Sequence, residues 1–315
     1  MLLESDKNKI YFSSLFARHY QSLYSEIRNI LKCEGIPCET IKGTKDYWCR
    51  DFMPVQANTQ SFVQFKYHPD YLEDKRAYET NVDNLMAKSF PELDVTKAPI
   101  IADGGNFVAA VGRGGKTCVI MTMKTRHQNN DIHPGAPVPF VSFVEEVVKS
   151  KLMCDEVVAI PWDQEDELGH VDGIVRFAGY SPRGIPRVLV NRRLYDQWYA
   201  GDVKSILSEH FQVIDLKLSL YDELSWAYIN AIQTSKCIIV PGIGLPTDKE
   251  ALHQYQELYP EYAGHIYMVQ MRDFIKEWNG ALNCLSWTIQ SQNNCNYSYD
   301  FSKLLLKDLG EWYRY

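Results

Sequence analysis

The sequence predicts an α/β fold, because short apolar runs typical of strands alternate with amphipathic runs typical of helices along its 315 residues. Residues 61–65 and 237–240 illustrate the strand-like runs. Residues 14–34 illustrate the helical kind, with Leu23, Ile27 and Leu31 at helical spacing. No stretch rich in Pro, Gly or Ser divides the chain. We therefore predict a single domain over residues 1–315.

The elements can be assigned in order from the period of the apolar residues and from the helix start and stop signals. Predicted helices cover 14–34, 80–89, 139–151, 202–210, 222–232, 247–259 and a last segment from Asp300. Predicted strands cover 61–65, 99–102, 107–111, 119–121, 157–161, 169–177, 187–190, 212–214, 237–240, 266–269 and 284–289. Thr247 and Glu250 have the spacing of a capping box. The polar segment 67–92 is predicted to be an insertion or lid.

Composition restricts the class of partner. The net charge is -7 and there is no long basic run, which argues against nucleic acid and mildly favours a cationic substrate. Residues 1–31 mix charged with apolar positions, so neither secretion nor a membrane partner is expected, and the predicted location is the cytoplasm. The eight cysteines show no Cys-x-x-Cys pair, as expected of mostly buried thiols in a reducing compartment.

The stretch 45–54 crowds carboxylates, a guanidinium and aromatic rings into ten positions. Aromatic rings beside a carboxylate can box a flat organic cation, and Asp51 is the candidate acceptor. A plainer interpretation makes this stretch a strand end, with Trp48 in the core and an Arg50–Asp51 pair on the rim. The stretch alone leaves both interpretations open.

Two further polar motifs interrupt apolar runs. Gly104 and Gly105 separate two strand-like runs, which predicts a bulge or a close backbone approach. His170, Asp172 and Arg176 stand at even offsets, so on a strand they would share one face. The polar motifs near positions 51, 103, 170, 242 and 284 recur at loosely similar intervals, which hints at repeated structural units.

Four motifs occur in order along most of the chain. They are Trp48-x-Arg50-Asp51, Asp103-Gly104-Gly105-Asn106, His170-x-Asp172 with Arg176-Phe177, and Asn283-Cys284-Leu285. This ordered set resembles the agmatine deiminase and bacterial peptidylarginine deiminase family of the pentein superfamily. The resemblance implies a five-fold pseudo-symmetric β/α propeller with the active site on its central axis. It also implies hydrolysis of a guanidinium to a ureido group with release of ammonia, and no metal or organic cofactor.

The resemblance implies a role for each catalytic residue. Asp51 and Asp172 would hold the guanidinium by bidentate hydrogen bonds. Cys284 would attack as a thiolate, which the cationic substrate itself would favour. His170 would protonate the departing ammonia and then activate water. Asp103, where family members often carry Glu, would orient His170.

The resemblance also implies residues that bind the substrate and residues that support the site. Trp48 and Asn106 would join Asp51 and Asp172 in contacting the substrate, and Arg50 and Arg176 would support the site. The expected substrate is a small guanidino cation, with agmatine first. Its product would be N-carbamoylputrescine, a step of putrescine biosynthesis. Free arginine and peptidylarginine stay open as substrates. A homodimer is a possible assembly.

Two alternatives come from other classes of protein. His170-x-Asp172 could begin an iron site of two histidines and one carboxylate, with His210, His253 or His265 as the distal ligand. That hypothesis leaves Cys284 without a role. Alternatively, the same fold could be a binding module without turnover.

Overall fold

The computed structural model describes residues 1–130, 142–191 and 197–291. Within these ranges strands and helices alternate, which confirms the predicted α/β class. The strands are β1 (Lys9–Ser13), β2 (Cys38–Ile41), β3 (Val55–Gln56), β4 (Ser61–Lys66), β5 (Asp94–Ile101), β6 (Val108–Val111), β7 (Thr117–Thr122), β8 (Glu156–Ile160), β9 (Val175–Tyr180), β10 (Pro186–Val190), β11 (Gln212–Asp215), β12 (Ile232–Gln233), β13 (Ile238–Gly242), β14 (Ile266–Gln270) and β15 (Ser286–Ile289). The α-helices are α1 (Ser14–His19), α2 (Gln21–Cys33), α3 (Cys49–Phe52), α4 (Val82–Ser89), α5 (Lys124–Gln128), α6 (Phe143–Leu152), α7 (Gln197–His210), α8 (Thr247–Leu258), α9 (Arg272–Trp278) and α10 (Leu282–Leu285).

These strands form five three-stranded sheets that share one pattern of pairing. In each sheet the middle strand pairs antiparallel with one neighbour and parallel with the other. A connection that contains a helix joins each parallel pair, as α8 joins β13 to β14, because parallel strands need a crossover. The repeated units suggested by the motif spacing are therefore present. Four sheets come from consecutive strand–strand–helix–strand segments, and the fifth combines β15 with β1 and β2.

One sheet contains both the first strand of the chain and the last described strand. Strand β15 pairs antiparallel with β1, with Trp287 opposite Tyr11. Helix α10, which carries Cys284 and directly precedes β15, packs against α3. The C-terminal motif and the motif that contains Asp51 thereby become neighbours.

The core consists of apolar side chains from the strands and from one face of each covering helix. Val119 and Met121 of β7 share a cluster with Val144 and Val148 of α6, and all four are fully buried. Each such side chain contributes about 1.5–3 kcal/mol of hydrophobic stabilisation. Helix α6 confirms the predicted apolar side at these positions, whereas its predicted start near Pro139 lies outside the described residues.

Some predicted elements are wrong in extent or type. The predicted helix 14–34 is divided at Tyr20, whose backbone is non-helical and whose ring packs on Phe274. The predicted helix 222–232 is instead a short 3-10 helix (Ser225–Tyr228) followed by β12. The chain turns between them at Asn230, whose side chain hydrogen-bonds to the segment around Cys284.

Two local predictions also require correction. The residues 169–177 do not form one strand, because a 3-10 helix (Val171–Gly173) precedes β9. The capping box at Thr247 is absent, since Pro246 is the N-cap residue of α8 and Glu250 accepts hydrogen bonds from Ser219.

Segment 67–92 contains the predicted short helix as α4, preceded by a 3-10 helix (Asp70–Tyr78). The predicted closing helix from Asp300 lies outside the described residues. Within the described ranges, no helix combines the length and apolar character needed to cross a membrane.

Candidate active site

Asp51 lies on the single turn of α3 and is held by the glycine motif. Its Oδ1 atom accepts a hydrogen bond from the backbone N–H of Gly105 at 3.1 Å. A Cβ atom on Gly105 would lie 2.5 Å from Asp51 Oδ1 and 2.8 Å from His170 Nδ1, closer than real Cβ contacts. The predicted close backbone approach at this motif is therefore confirmed, and it needs glycine.

His170 lies between two carboxylates. Its Nε2 atom is 3.0 Å from Asp103 Oδ2, and its Nδ1 atom is 3.5 Å from Asp51 Oδ1. Asp103 Oδ2 also accepts a hydrogen bond from the hydroxyl of Tyr71 at 3.1 Å. The side chains of His170, Asp51 and Asp103 are at most 8% exposed, so the pairs lie where water screens them little. This arrangement orients the imidazole through both of its nitrogens.

Cys284 lies beside the other carboxylate of the site. Its Sγ atom is 3.8 Å from Asp172 Oδ2 and accepts a hydrogen bond from Asn230 Nδ2 at 3.2 Å. The side-chain oxygen Oδ1 of Asn230 accepts hydrogen bonds from the backbone N–H groups of Asn283 and Cys284. One side chain therefore holds the segment before β15. Asn230 was missed in the sequence, although a lone amide in the apolar run 227–232 was an available signal.

Arg50 connects the site to the N-terminal segment. Its guanidinium donates to Asn283 Oδ1 at 2.8 Å, and Asn283 Nδ2 donates to Asp172 Oδ2 at 2.7 Å. Arg50 also pairs with Glu4 at 3.3 Å. Burial raises the pKa of Glu4, but Arg50 and Lys7 lower it more, so the pKa falls to about 2. The predicted supporting ion pair of Arg50 thus has Glu4 as its partner, and not Asp51.

The titratable groups of the site have pKa values far from their ordinary ranges. Burial raises the pKa of Asp51 to about 8, against the attraction of His170. Burial lowers the pKa of His170, but Asp51 and Asp103 raise it more, to about 9. Burial, with the negative charges of Asp172 and Asp51, raises the pKa of the Cys284 thiol well above its usual value. A cation bound among these groups would reverse the carboxylate effects and favour the thiolate.

The site opens into a cavity of about 560 Å³. The lining residues include Trp48, Asp51, His170, Cys284, Gly280 and Trp278, and Tyr71, Leu72, Lys75 and Tyr78 from segment 67–92. A second cavity, of about 380 Å³, reaches His170, Asp172 and Cys284 beside Trp226. Segment 67–92 therefore forms one wall of the larger cavity, as the predicted lid would require.

Two predicted site residues are turned away from this cavity. The amide of Asn106 is used internally, because it accepts from Thr122 and donates to Thr125. Arg176 donates to the backbone oxygen of Ala231 and to Gln233, so it links β9 to β12. The even spacing does not place the three residues on one strand, because Asp172 lies in the 3-10 helix Val171–Gly173, which follows His170, and Arg176 lies on β9.

The histidines proposed as distal iron ligands are paired elsewhere. His210 lies beside Glu156, His253 beside Glu257 and His265 beside Glu34. None of these histidines lines either cavity that contains His170. In the part of the chain that the structure describes, no three His, Cys, Asp or Glu residues are grouped so as to hold a metal ion. Among the described residues, the iron hypothesis therefore lacks its third ligand.

Comparison with known proteins identifies relatives of this chain. The family model described as Porphyromonas-type peptidyl-arginine deiminase matches residues 13–289. No curated protein sequence matches the chain.

Solved structures show the same fold at low identity. An agmatine deiminase of C. jejuni is 16% identical, with a TM-score of 0.67 over 92% of this chain and 96% of that one. An agmatine deiminase of Enterococcus faecalis is also 16% identical, with a TM-score of 0.64 over 92% and 95%. An amidinotransferase from Microseira wollei is 12% identical, with a TM-score of 0.53 over 89% and 83%. These likenesses support a common fold that extends over nearly the whole chain.

Proposed function

Because the chain belongs to the Porphyromonas-type peptidyl-arginine deiminase family, we propose that it hydrolyses the guanidinium group of a small cation to a ureido group and ammonia. Agmatine is the first candidate substrate. The five sheets would then surround one axis as a β/α propeller, with the reacting atoms near that axis and no cofactor needed.

The observation that carries this proposal is the convergence of Asp51, Asp172, His170 and Cys284 on one pair of adjoining cavities. Three buried carboxylates, including Asp103, surround a single imidazole. Even with His170 protonated, fully ionised carboxylates would leave net negative charge with little water around it, which is costly. A guanidinium supplies a permanent positive charge and donors in a planar array that matches carboxylates. The site is thus suited to this cation.

The reaction can be written with the groups present. On binding, the guanidinium favours loss of the Cys284 proton to solvent, and the thiolate attacks the guanidinium carbon. Protonated His170 donates to the departing nitrogen, which leaves as ammonia, and a thiouronium remains on sulfur. Neutral His170 then takes a proton from water as its oxygen attacks the same carbon. Collapse of this second adduct expels the thiolate, and its hydroxyl proton passes through solvent to the released ammonia, so guanidinium plus water gives the ureido compound plus ammonium.

Neighbouring groups would hold these reactants in place. Asp103 would accept a hydrogen bond from Nε2 of protonated His170 and stabilise that charged form. Asn230 donates to the sulfur and binds the backbone on either side of the Asn283–Cys284 bond. Asn283 holds Asp172 in place by donating a hydrogen bond to its carboxylate. Such fixed neighbours reduce the reorganisation that attack on a deactivated carbon requires.

The rim of the larger cavity favours a substrate with a cationic tail. Asp46, Glu167 and Glu277 line it together with Asp51, whereas among the described residues of its lining Lys75 and His170 are the basic ones. This imbalance attracts an amine and disfavours the carboxylate of free arginine. Peptidylarginine is the second candidate, because Tyr78 and Trp278 on the rim are 58% and 41% exposed and leave an open aromatic surface.

The test compares ammonia and ureido product from agmatine, free arginine and arginyl peptides with the purified protein. We expect the highest kcat/KM for agmatine and a much lower value for free arginine. Preference for an arginyl peptide would transfer the assignment to the second candidate. No ureido product from any of the three, with the guanidines still bound, would replace the deiminase by the binding module.

A further inference from the structure

A buried lysine takes no part in the proposed reaction. Lys124, the first residue of α5, is only 2% exposed. Its Nζ atom donates a hydrogen bond to the backbone oxygen of Glu167 and lies 3.0 Å from Asp70 Oδ1. Nζ is also 5.7 Å from the ring centroid of Tyr71 and 5.4 Å from that of Trp162. A buried ammonium with these partners is too costly to be incidental.

The partners of Lys124 belong to two different walls of the active-site cavity. Asp70 begins the 3-10 helix Asp70–Tyr78, which supplies Tyr71, Leu72, Lys75 and Tyr78 to the lining. Glu167 belongs to the loop 161–170, which supplies Glu167, Leu168 and His170. These two segments are far apart in the chain. Lys124 therefore joins them through one ammonium group.

Both walls continue directly to the reacting groups. Tyr71 follows Asp70 and donates its hydroxyl to Asp103, the partner of His170. On the other wall, the loop reaches His170 through Gly169, whose φ of +57° favours glycine. A Cβ atom at Gly169 would lie 2.8 Å from Lys124 Cδ and 2.6 Å from Trp162 Nε1. The stem of Lys124 thus packs against the residue before His170.

We propose that Lys124 is a positioning residue, which ties the Asp70–Tyr78 wall to the 161–170 loop and so sets the width of the cavity and the position of the imidazole. The lysine itself is not needed for any chemical step. The kinetic part of this proposal rests on the proposed deiminase function, whereas the structural part does not. Breaking the link should loosen the Asp70–Tyr78 wall first, because the side chain of Asp70 is 54% exposed and water can replace its ion pair.

Asp70→Asn tests the link without removing the lysine. We expect KM for agmatine to rise about two- to five-fold with kcat within about two-fold, as for loss of a half-exposed ion pair. Amide hydrogen exchange should quicken by a similar factor in residues 70–78 and not in α4. The matched control is Asp83→Asn, which removes another aspartate of segment 67–92 from its 2.6 Å pair with Lys97, outside the active-site cavity.

Lys124→Met keeps the stem and removes the ammonium. We expect kcat/KM to fall about ten- to hundred-fold, because the backbone carbonyl of Glu167 also loses its donor, and exchange to quicken in 161–170 as well as in 70–78. The double variant Lys124→Met with Asp70→Asn should be no worse than Lys124→Met alone, because both changes break the same link.

Unchanged exchange in residues 70–78 for both single variants would overturn the proposal. Equal quickening in α4 would also overturn it, since that outcome indicates general destabilisation. If the wild-type protein releases no ammonia from guanidines, the proposed function fails, yet the exchange measurement still decides whether Lys124 joins the two walls.

Discussion

Asp51→Asn removes one negative charge from the cation site while keeping its shape. The asparagine oxygen can still accept from the Gly105 N–H, which now bonds Asp51 at 3.1 Å, so the backbone should stay in place. The new NH2 group would oppose the donors of a guanidinium. Because Asp51 is 6% exposed, little water is present to replace the lost charge. Cutting one partner of such a desolvated pair costs about 2–5 kcal/mol, or roughly thirty-fold to several-thousand-fold in kcat/KM.

The same substitution has a second expected effect. The charge of Asp51 is the largest single effect that raises the pKa of His170, which reaches about 9, so its removal should lower that pKa. The alkaline limb of the pH profile should then shift toward neutrality. The assay is ammonia release from agmatine at pH 5–10, with folding checked by circular dichroism. Asp83→Asn, which changes an exposed aspartate, should leave both quantities unchanged.

Asp172→Asn should be comparably severe, because it removes the charge beside Cys284. An Asp51→Asn enzyme that keeps more than about one-fifth of wild-type kcat/KM would refute the proposed binding of the guanidinium by Asp51. A severe loss with unaltered pH dependence would instead refute the coupling between Asp51 and His170.

Cys284→Ala should abolish turnover but keep guanidine binding, which a ligand-induced rise in Tm would show. The control is Cys154→Ala, which changes a thiol of the same 7% exposure and should leave the enzyme active. Substantial ammonia release by Cys284→Ala would remove that sulfur from the mechanism. Arg50→Ala should mainly lower the free energy of unfolding, by about 3–5 kcal/mol in urea titrations, because it leaves Glu4 and Asn283 without their buried partner; an unchanged unfolding midpoint would contradict this. For the wild type, kcat/KM should rise with pH through about 8, as Asp51 loses its proton and can bind the cation, and fall above about 9, as His170 loses the proton it must donate. An acid optimum would show that these two groups do not control the reaction.

The resemblance of four ordered motifs to a known family selected Asp51, Asp103, His170, Asp172 and Cys284 as candidates. The structure brings all five to one place, although Asp51 and Cys284 belong to motifs more than two hundred residues apart in the chain. The strand periods also predicted most strands, and the spacing of the polar motifs hinted at the repeated units. Their success has a physical reason, because side-chain period and residue chemistry are local properties that the chain carries in any conformation.

The supporting residues could not be selected in this way. Asn230 reaches Cys284 across 54 positions, Glu4 reaches Arg50 across 46, and Tyr71 reaches Asp103 across 32. Nothing near any of these residues marks its partner. Asn106 shows the converse, since a motif position that suggested substrate contact is used to bind Thr122 and Thr125.

What the sequence by itself determined about this protein is the class of fold and the types of side chain that its polar motifs contain. Only the tertiary structure decided how those side chains are held, which groups shift their pKa values, and that Lys124 connects two walls of the cavity. The reason is that hydrogen bonding, burial and charge interaction depend on distances in space, and these distances are set when the sheets pack together.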